Sequence, residues 1–157
     1  IGRGEAIAAY LEMGASGVQL GTRFVCAAES IAHANFKQAF IRAAARDAIP
    51  SVQHDPDFPV IPGRAIANKA TDEFTRTQHE VIKEFREGKL DKKEAQLKIE
   101  HFWAGALRRA VIDGDVERGS VMAGQSVGMV GKVEPCADII AELISQAETF
   151  LKVKKAA

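Results

Sequence analysis

The chain has 157 residues, enough for about one domain with its own core. Its 21 Lys and Arg balance its 21 Asp and Glu, so it lacks the basic footprint of a nucleic-acid binder. No apolar run approaches a membrane span and no secretory leader pattern opens the sequence, while Cys26 and Cys136 have neither metal-ligand nor disulfide-framework spacing. Free thiols and a cytoplasmic location are the expectation.

The opening Ile1-Gly2-Arg3-Gly4-Glu5 reads as an entry into the middle of a longer polypeptide. Residues 4–13, GEAIAAYLEM, place Ile7, Tyr10 and Leu11 at helical spacing and stop at Gly14, which predicts a helix. Gly17–Leu20 is short and apolar at Val18 and Leu20, and is read as a buried strand. Helix, glycine loop and strand form half of a βα repeat, so the expected class is α/β with a parallel sheet. One parallel strand leaves its edges unpaired, and its neighbours are expected to precede Ile1.

After the strand comes Gly21-Thr22-Arg23-Phe24. Two readings stand side by side: an ordinary strand-ending turn, or a cradle for an anion. For the cradle, Gly21 admits close backbone approach, Thr22 adds a hydroxyl, and the N–H groups entering a helix supply the positive end of its dipole. Arg23 can steer a phosphate or pair with an acid such as Glu29. Pairing is the favoured reading, and replacing Arg23 is then expected to leave ligand affinity largely intact.

Residues 29–45 carry Ile31, Phe36, Phe40 and Ile41 around a helix, and 47–63 form a loop with four prolines and a short strand at 49–53. Long helices are predicted from Arg64 to Glu87, closing at Gly88, and from Asp91 to Gly114, where Asp91 and Glu94 make a capping box. The last helix begins near Glu134, with Pro135 in its first turn. Between them lies the glycine-rich stretch 114–131. The N-terminal part reads as α/β and the remainder as largely α-helical.

Four segments, in order, carry a resemblance: IGRGEAIAAYLEMGASGVQLGTRF (1–24), SIAHANFK (30–37), PGRAIAN (62–68) and GALRRAVIDGDVERGSVMAGQSVGMV (105–130). The chain resembles the nitronate monooxygenase family, also called 2-nitropropane dioxygenases, and their relatives the flavin-dependent enoyl-acyl carrier protein reductases. The resemblance implies the C-terminal half of an FMN-binding (βα)8 TIM barrel with a mostly helical C-terminal domain. Residues 1–46 would be the last βα unit: seventh helix, eighth strand, phosphate turn and following helix. Residues 47–133 would be a helical cap with the Pro-rich loop, and 134–157 the C-terminal helix. Gln19, Leu20, Gly21 and Thr22 would hold the FMN phosphate, helped by a glycine just ahead of Ile1.

The implied activity is oxidation of alkyl nitronates with dioxygen, the catalytic histidine lying upstream and no catalytic residue within this chain. The alternative is an enoyl-acyl carrier protein reductase using NADH or NADPH with FMN. A third reading, of another class, is a non-catalytic helical fragment unable to bind FMN alone. Expected partners are a small-molecule substrate and the N-terminal barrel half or another chain, with homo-oligomerisation through the open barrel edge; neither nucleic acid nor membrane is expected.

Gly119–Gln125, GSVMAGQ, has two readings: a loop toward the flavin and substrate, with Ser120, Met122 and Gln125 as candidates, or a tightly packed helix crossing. His33 is read as a structural hydrogen-bonder, His54 as a solvated loop residue beside Asp55 and Asp57, and His79 and His101 as surface residues. Trp103 and Phe102 read as core or interface. Arg64 reads as a helix cap or loop anchor ahead of a ligand contact, and Arg108 and Arg109 as a charged network with Asp113, Asp115 and Glu117.

Overall fold

The computed structural model describes residues 1–156. Its helices are α1 (Gly4–Glu12), α2 (Thr22–Val25), α3 (Ala34–Arg42), α4 (Lys69–Arg86), α5 (Lys92–Val111) and α6 (Cys136–Ala156). Two short strands, β1 (Ala48–Pro50) and β2 (Arg64–Ile66), pair antiparallel with Ile49 opposite Ala65. Single 3-10 turns occupy Ala45–Asp47 and Gln125–Met129.

Three apolar clusters organise these elements. One surrounds Phe40 and Phe36 of α3 and draws in Ala110 of α5 together with Val121, Ala123, Val127 and Val130 from the glycine-rich stretch. A second lies between α4 and α5, where Phe58 of the Pro-rich loop joins Phe74, Val81, Ile82 and Ile99, with Phe102 and Trp103 packed against it. The third joins α1, α2 and α6 through Ile139 and Leu143, with Ile7, Leu20 and Phe24 alongside. α1 lies directly on α6 because Gly4 has no side chain: a β-carbon there would stand 2.0 Å from the Leu143 carbonyl oxygen.

Several helix boundaries follow from caps. Asp91 Oδ1 accepts from the Glu94 N–H at 2.8 Å and Glu94 Oε2 accepts from the Asp91 N–H at 3.1 Å, the expected capping box. α3 starts at Ala34 rather than near Glu29 because His33 is its N-cap, its Nδ1 accepting from the Asn35 N–H at 3.1 Å. α4 starts at Lys69, not Arg64: residues 64–66 are drawn into β2, and Asn68 caps the helix through the Thr71 N–H. The short strand expected at 49–53 is confined to 48–50, where β2 supplies partners.

Among the described residues, the segment Gly17–Leu20 expected as the eighth barrel strand forms no ladder, and the sheet present joins two other segments, β1 and β2, antiparallel. A strand exists through its hydrogen-bonded neighbours, and no described segment lies beside 17–20 to supply them. Leu20 still turns inward against the α6 cluster. Among the described residues no helix is long and apolar enough to cross a membrane.

Candidate functional site

A cleft of about 580 Å³ is lined by Gly21, Thr22 and Val25 on one side, Pro50, Pro62, Gly63 and Arg64 on another, and Met122, Ala123 and Gly124 on the third. Its walls therefore come from three of the segments that the sequence singled out. Backbone bonds bring them together: the Ile66 N–H donates to Val121 O at 2.9 Å, and the Ala123 N–H to Arg64 O at 3.0 Å. Met122 thereby sits opposite Ala65 in an isolated antiparallel bridge beside β2. The third junction is a side chain, Thr22 Oγ1 accepting from the Gly124 N–H at 3.0 Å.

The turn at Gly21 leaves donors unused. The Phe24 and Val25 N–H groups bond to Gly21 O at 3.0 and 3.2 Å, but those of Gly21, Thr22 and Arg23 have no protein acceptor among the described residues. The Thr22 hydroxyl oxygen accepts, and among the described residues its proton meets no protein acceptor. Gly21 has φ −101° and ψ −64°, a conformation open to any residue. A β-carbon at this position meets no heavy atom within 4 Å. Neither conformation nor packing calls for glycine here. Among the described residues, no carboxylate lines the cleft.

The other nominated residues are placed as follows. Leu20 is half-buried in the α6 cluster, and Gln19 is exposed outside the cleft lining. Met122 lines the cleft. Ser120 is buried, its N–H donating to Ala106 O at 2.8 Å, and does not reach the cleft. Gln125 is exposed and lines a separate hollow beside Ile1, Gly2 and Met129. The packed-crossing account thus describes Ser120, whereas Met122 faces open space. Arg64 is a loop anchor, its Nη1 donating to Ala48 O at 2.8 Å across the β1–β2 pair, although it also borders the cleft.

Arg23 pairs with acids, but not with Glu29. It is 6% exposed, and its guanidinium reaches Glu134 Oε1 at 2.7 Å, Glu142, and the Met129 carbonyl at 3.4 Å. Glu29 instead takes the Cys136 N–H at 3.0 and 3.1 Å and caps α6. Its own backbone N–H and that of Cys136 hold its carboxyl below the ordinary range. Sequence periodicity gave no sign of Arg23's partners, which lie more than a hundred residues away. Arg109 donates to Arg118 O at 3.1 Å, and neither it nor Arg108 forms an ion pair among the described residues, so the expected charged network there is absent.

None of the four histidines lines the cleft. His54 packs on His79 with ring centroids 4.3 Å apart, and no group of three His, Cys, Asp or Glu among the described residues is arranged to hold a metal. Both thiols are free; burial pushes Cys26 and Cys136 above the usual thiol range.

The family model described as nitronate monooxygenase matches residues 1–146. Among solved structures, FabK from Thermotoga maritima is similar with a TM-score of 0.76 and 30% identity, over 100% of this chain and 45% of that one. A mutant FabK from the same organism gives 0.74 and 27%, over 99% and 42%. Nitroalkane oxidase from Streptomyces ansochromogenes shares the fold at 0.69 with 23% identity, over 98% and 39%. The chain spans less than half the length of each of these structures. No curated protein matches it.

Proposed function

This chain belongs to the nitronate monooxygenase family, and from that premise we propose that the protein carrying it is an FMN-dependent oxidoreductase whose phosphate seat includes the Gly21–Arg23 turn. The observation behind this is the donor set: three backbone N–H groups and the Thr22 hydroxyl proton without protein acceptors, beside a glycine that nothing in the chain requires. A turn with these free donors, beside a cleft whose lining residues include no carboxylate among the described residues, fits a phosphate dianion. Gly21 and Thr22 would hold the phosphate; Gln19 and Leu20 would contribute through backbone, since the Leu20 side chain is engaged in packing. FMN, when bound, supplies the two-electron redox chemistry.

The chain's own part is to bind and shape. Pro50, Pro62 and Met122 give the cleft apolar walls that suit an alkyl group and exclude water, with the Met122 thioether adapting to its outline. The proton-transferring base is assigned to a histidine outside this chain, as the family resemblance implies. The reaction we assign is oxidation of an alkyl nitronate with dioxygen as acceptor. A second reading, enoyl-acyl carrier protein reduction with NADH or NADPH, is supported by the likeness to FabK at 30% identity over this whole chain.

The test uses the full-length protein. Flavin absorbance co-eluting with protein, released as FMN on denaturation, is expected; a colourless protein that takes up no added FMN overturns the proposal. Oxygen consumption with a nitronate supports the first reaction. NADH oxidation dependent on a crotonyl thioester, without nitronate turnover, replaces it by the second.

A further inference from the structure

We propose that Arg23 is a positioning residue for the phosphate turn, locking α2 to the Gln125–Met129 turn and to α6 without touching the ligand itself. The inference rests on the reading of Gly21–Arg23 as a phosphate seat.

α2 has four residues, too few for a helix to hold itself in place. Its position depends on ties to other elements, and two stand out. Thr22 Oγ1 joins it to Gly124 on the cleft side. On the opposite side the Arg23 guanidinium serves three acceptors at once: Glu134, Glu142 of α6, and the Met129 carbonyl. Arg23 and Glu134 are both 6% exposed, whereas Glu142 lies partly in solvent and Lys132 meets the other oxygen of Glu134 at 2.8 Å. An arginine adjacent to an anion seat would ordinarily aim its charge at the anion. Here that charge is turned away and matched by two carboxylates, so its influence on a phosphate must pass through the backbone it anchors. It runs against the expectation that changing Arg23 leaves binding intact, and the FMN titrations below decide between the two.

The guanidinium reaches these acceptors from two separated nitrogens, Nη1 toward Met129 O and Nη2 toward both carboxylates; a lysine ammonium keeps the charge but gathers its donors on one nitrogen. Arg23→Lys therefore tests position with charge conserved. Glu142→Gln loosens the same clamp from its solvent side and stands as the second variant should Arg23→Lys fail to fold. In full-length apoprotein, dissociation constants for FMN and for riboflavin, which lacks the phosphate, are measured by fluorescence titration.

FMN binding is expected to weaken on the order of tenfold in Arg23→Lys, about the scale of one lost charge-assisted hydrogen bond. Glu142→Gln should weaken it less, and riboflavin binding should stay as in the wild type. Unchanged FMN affinity in the variants overturns the inference, and so does parallel loss of FMN and riboflavin, which marks a merely structural residue. Equal wild-type affinity for FMN and riboflavin overturns the phosphate seat itself, and this inference with it.

Discussion

Replacing Gly21 should separate ligand binding from stability. On the folding side, the site is permissive: φ is −101°, and a β-carbon meets no heavy atom within 4 Å. The remaining cost is the poorer capping preference of alanine relative to glycine, about 0.5 kcal/mol. On the binding side, a methyl group beside the unpartnered N–H groups of residues 21–23 holds an anion away from them. Losing one charge-assisted hydrogen bond costs about 1.5–3 kcal/mol, which is roughly ten- to hundredfold in affinity. Gly21→Ala should therefore weaken FMN by that factor, and Gly21→Val by more, while the apoprotein melting temperature stays within a few degrees. Titration of apoprotein with FMN, paired with differential scanning fluorimetry, reads both quantities. Wild-type FMN affinity in both variants would refute the open-turn argument; a large fall in apoprotein melting temperature would show that packing does require the glycine.

Gly4→Ala should destabilise the protein by about 2–3 kcal/mol in urea unfolding, because the new methyl meets two backbone atoms of α6, at 2.0 and 2.6 Å, that cannot yield like a side chain. The Glu29 carboxyl is held below its ordinary range by its own N–H and that of Cys136, so the unfolded chain takes up the proton first as pH falls. Its stabilising effect is complete above the unfolded carboxyl range and disappears as pH drops through the lowered folded value. Glu29→Gln should thus flatten the acid limb of a stability-versus-pH curve while moving the neutral-pH end in parallel. Burial raises both thiols, so Cys26 and Cys136 should react slowly with iodoacetamide at pH 7 and faster in alkaline solution, part-exposed Cys136 ahead of buried Cys26.

What was legible in the sequence is mostly local. Asp91 and Glu94 lie three residues apart and cap each other as the spacing requires, and Gly14, Gly88 and Gly114 take the left-handed conformation at chain turns with φ +96°, +72° and +76°. Periodicity located α1, α4, α5 and α6 to within a few residues. It erred where a partner decided the matter. Residues 64–66 carry a pattern compatible with a helix start, but β1 on one edge and the 121–123 segment on the other capture their backbone groups. The apolar run at 17–20 has no such neighbour among the described residues and remains unpaired.

The cleft obeys the same distinction. Gly21, Met122 and the Pro62–Arg64 stretch were each singled out from sequence, yet what brings them to one cleft is a set of long-range bonds, two between backbones and one through the Thr22 hydroxyl, that no local pattern encodes. Those bonds also sort the candidates within a segment. In an extended stretch successive side chains face opposite ways. Met122, paired opposite Ala65, is partly exposed and faces the cleft, while Val121 and Ala123 on either side are buried, Ala123 also bordering the cleft. Ser120, which alternation alone would place on the Met122 face, is instead buried, its N–H bonded to Ala106 of α5. The glycine-rich stretch is thus both a packed crossing and a cleft wall, divided residue by residue. Arg23 extends the logic to charge: a basic residue after a Gly-Thr turn reads from sequence as a ligand contact or a surface ion pair. Only the positions of Glu134 and Glu142, contributed by the far end of the chain, show its guanidinium buried against carboxylates instead.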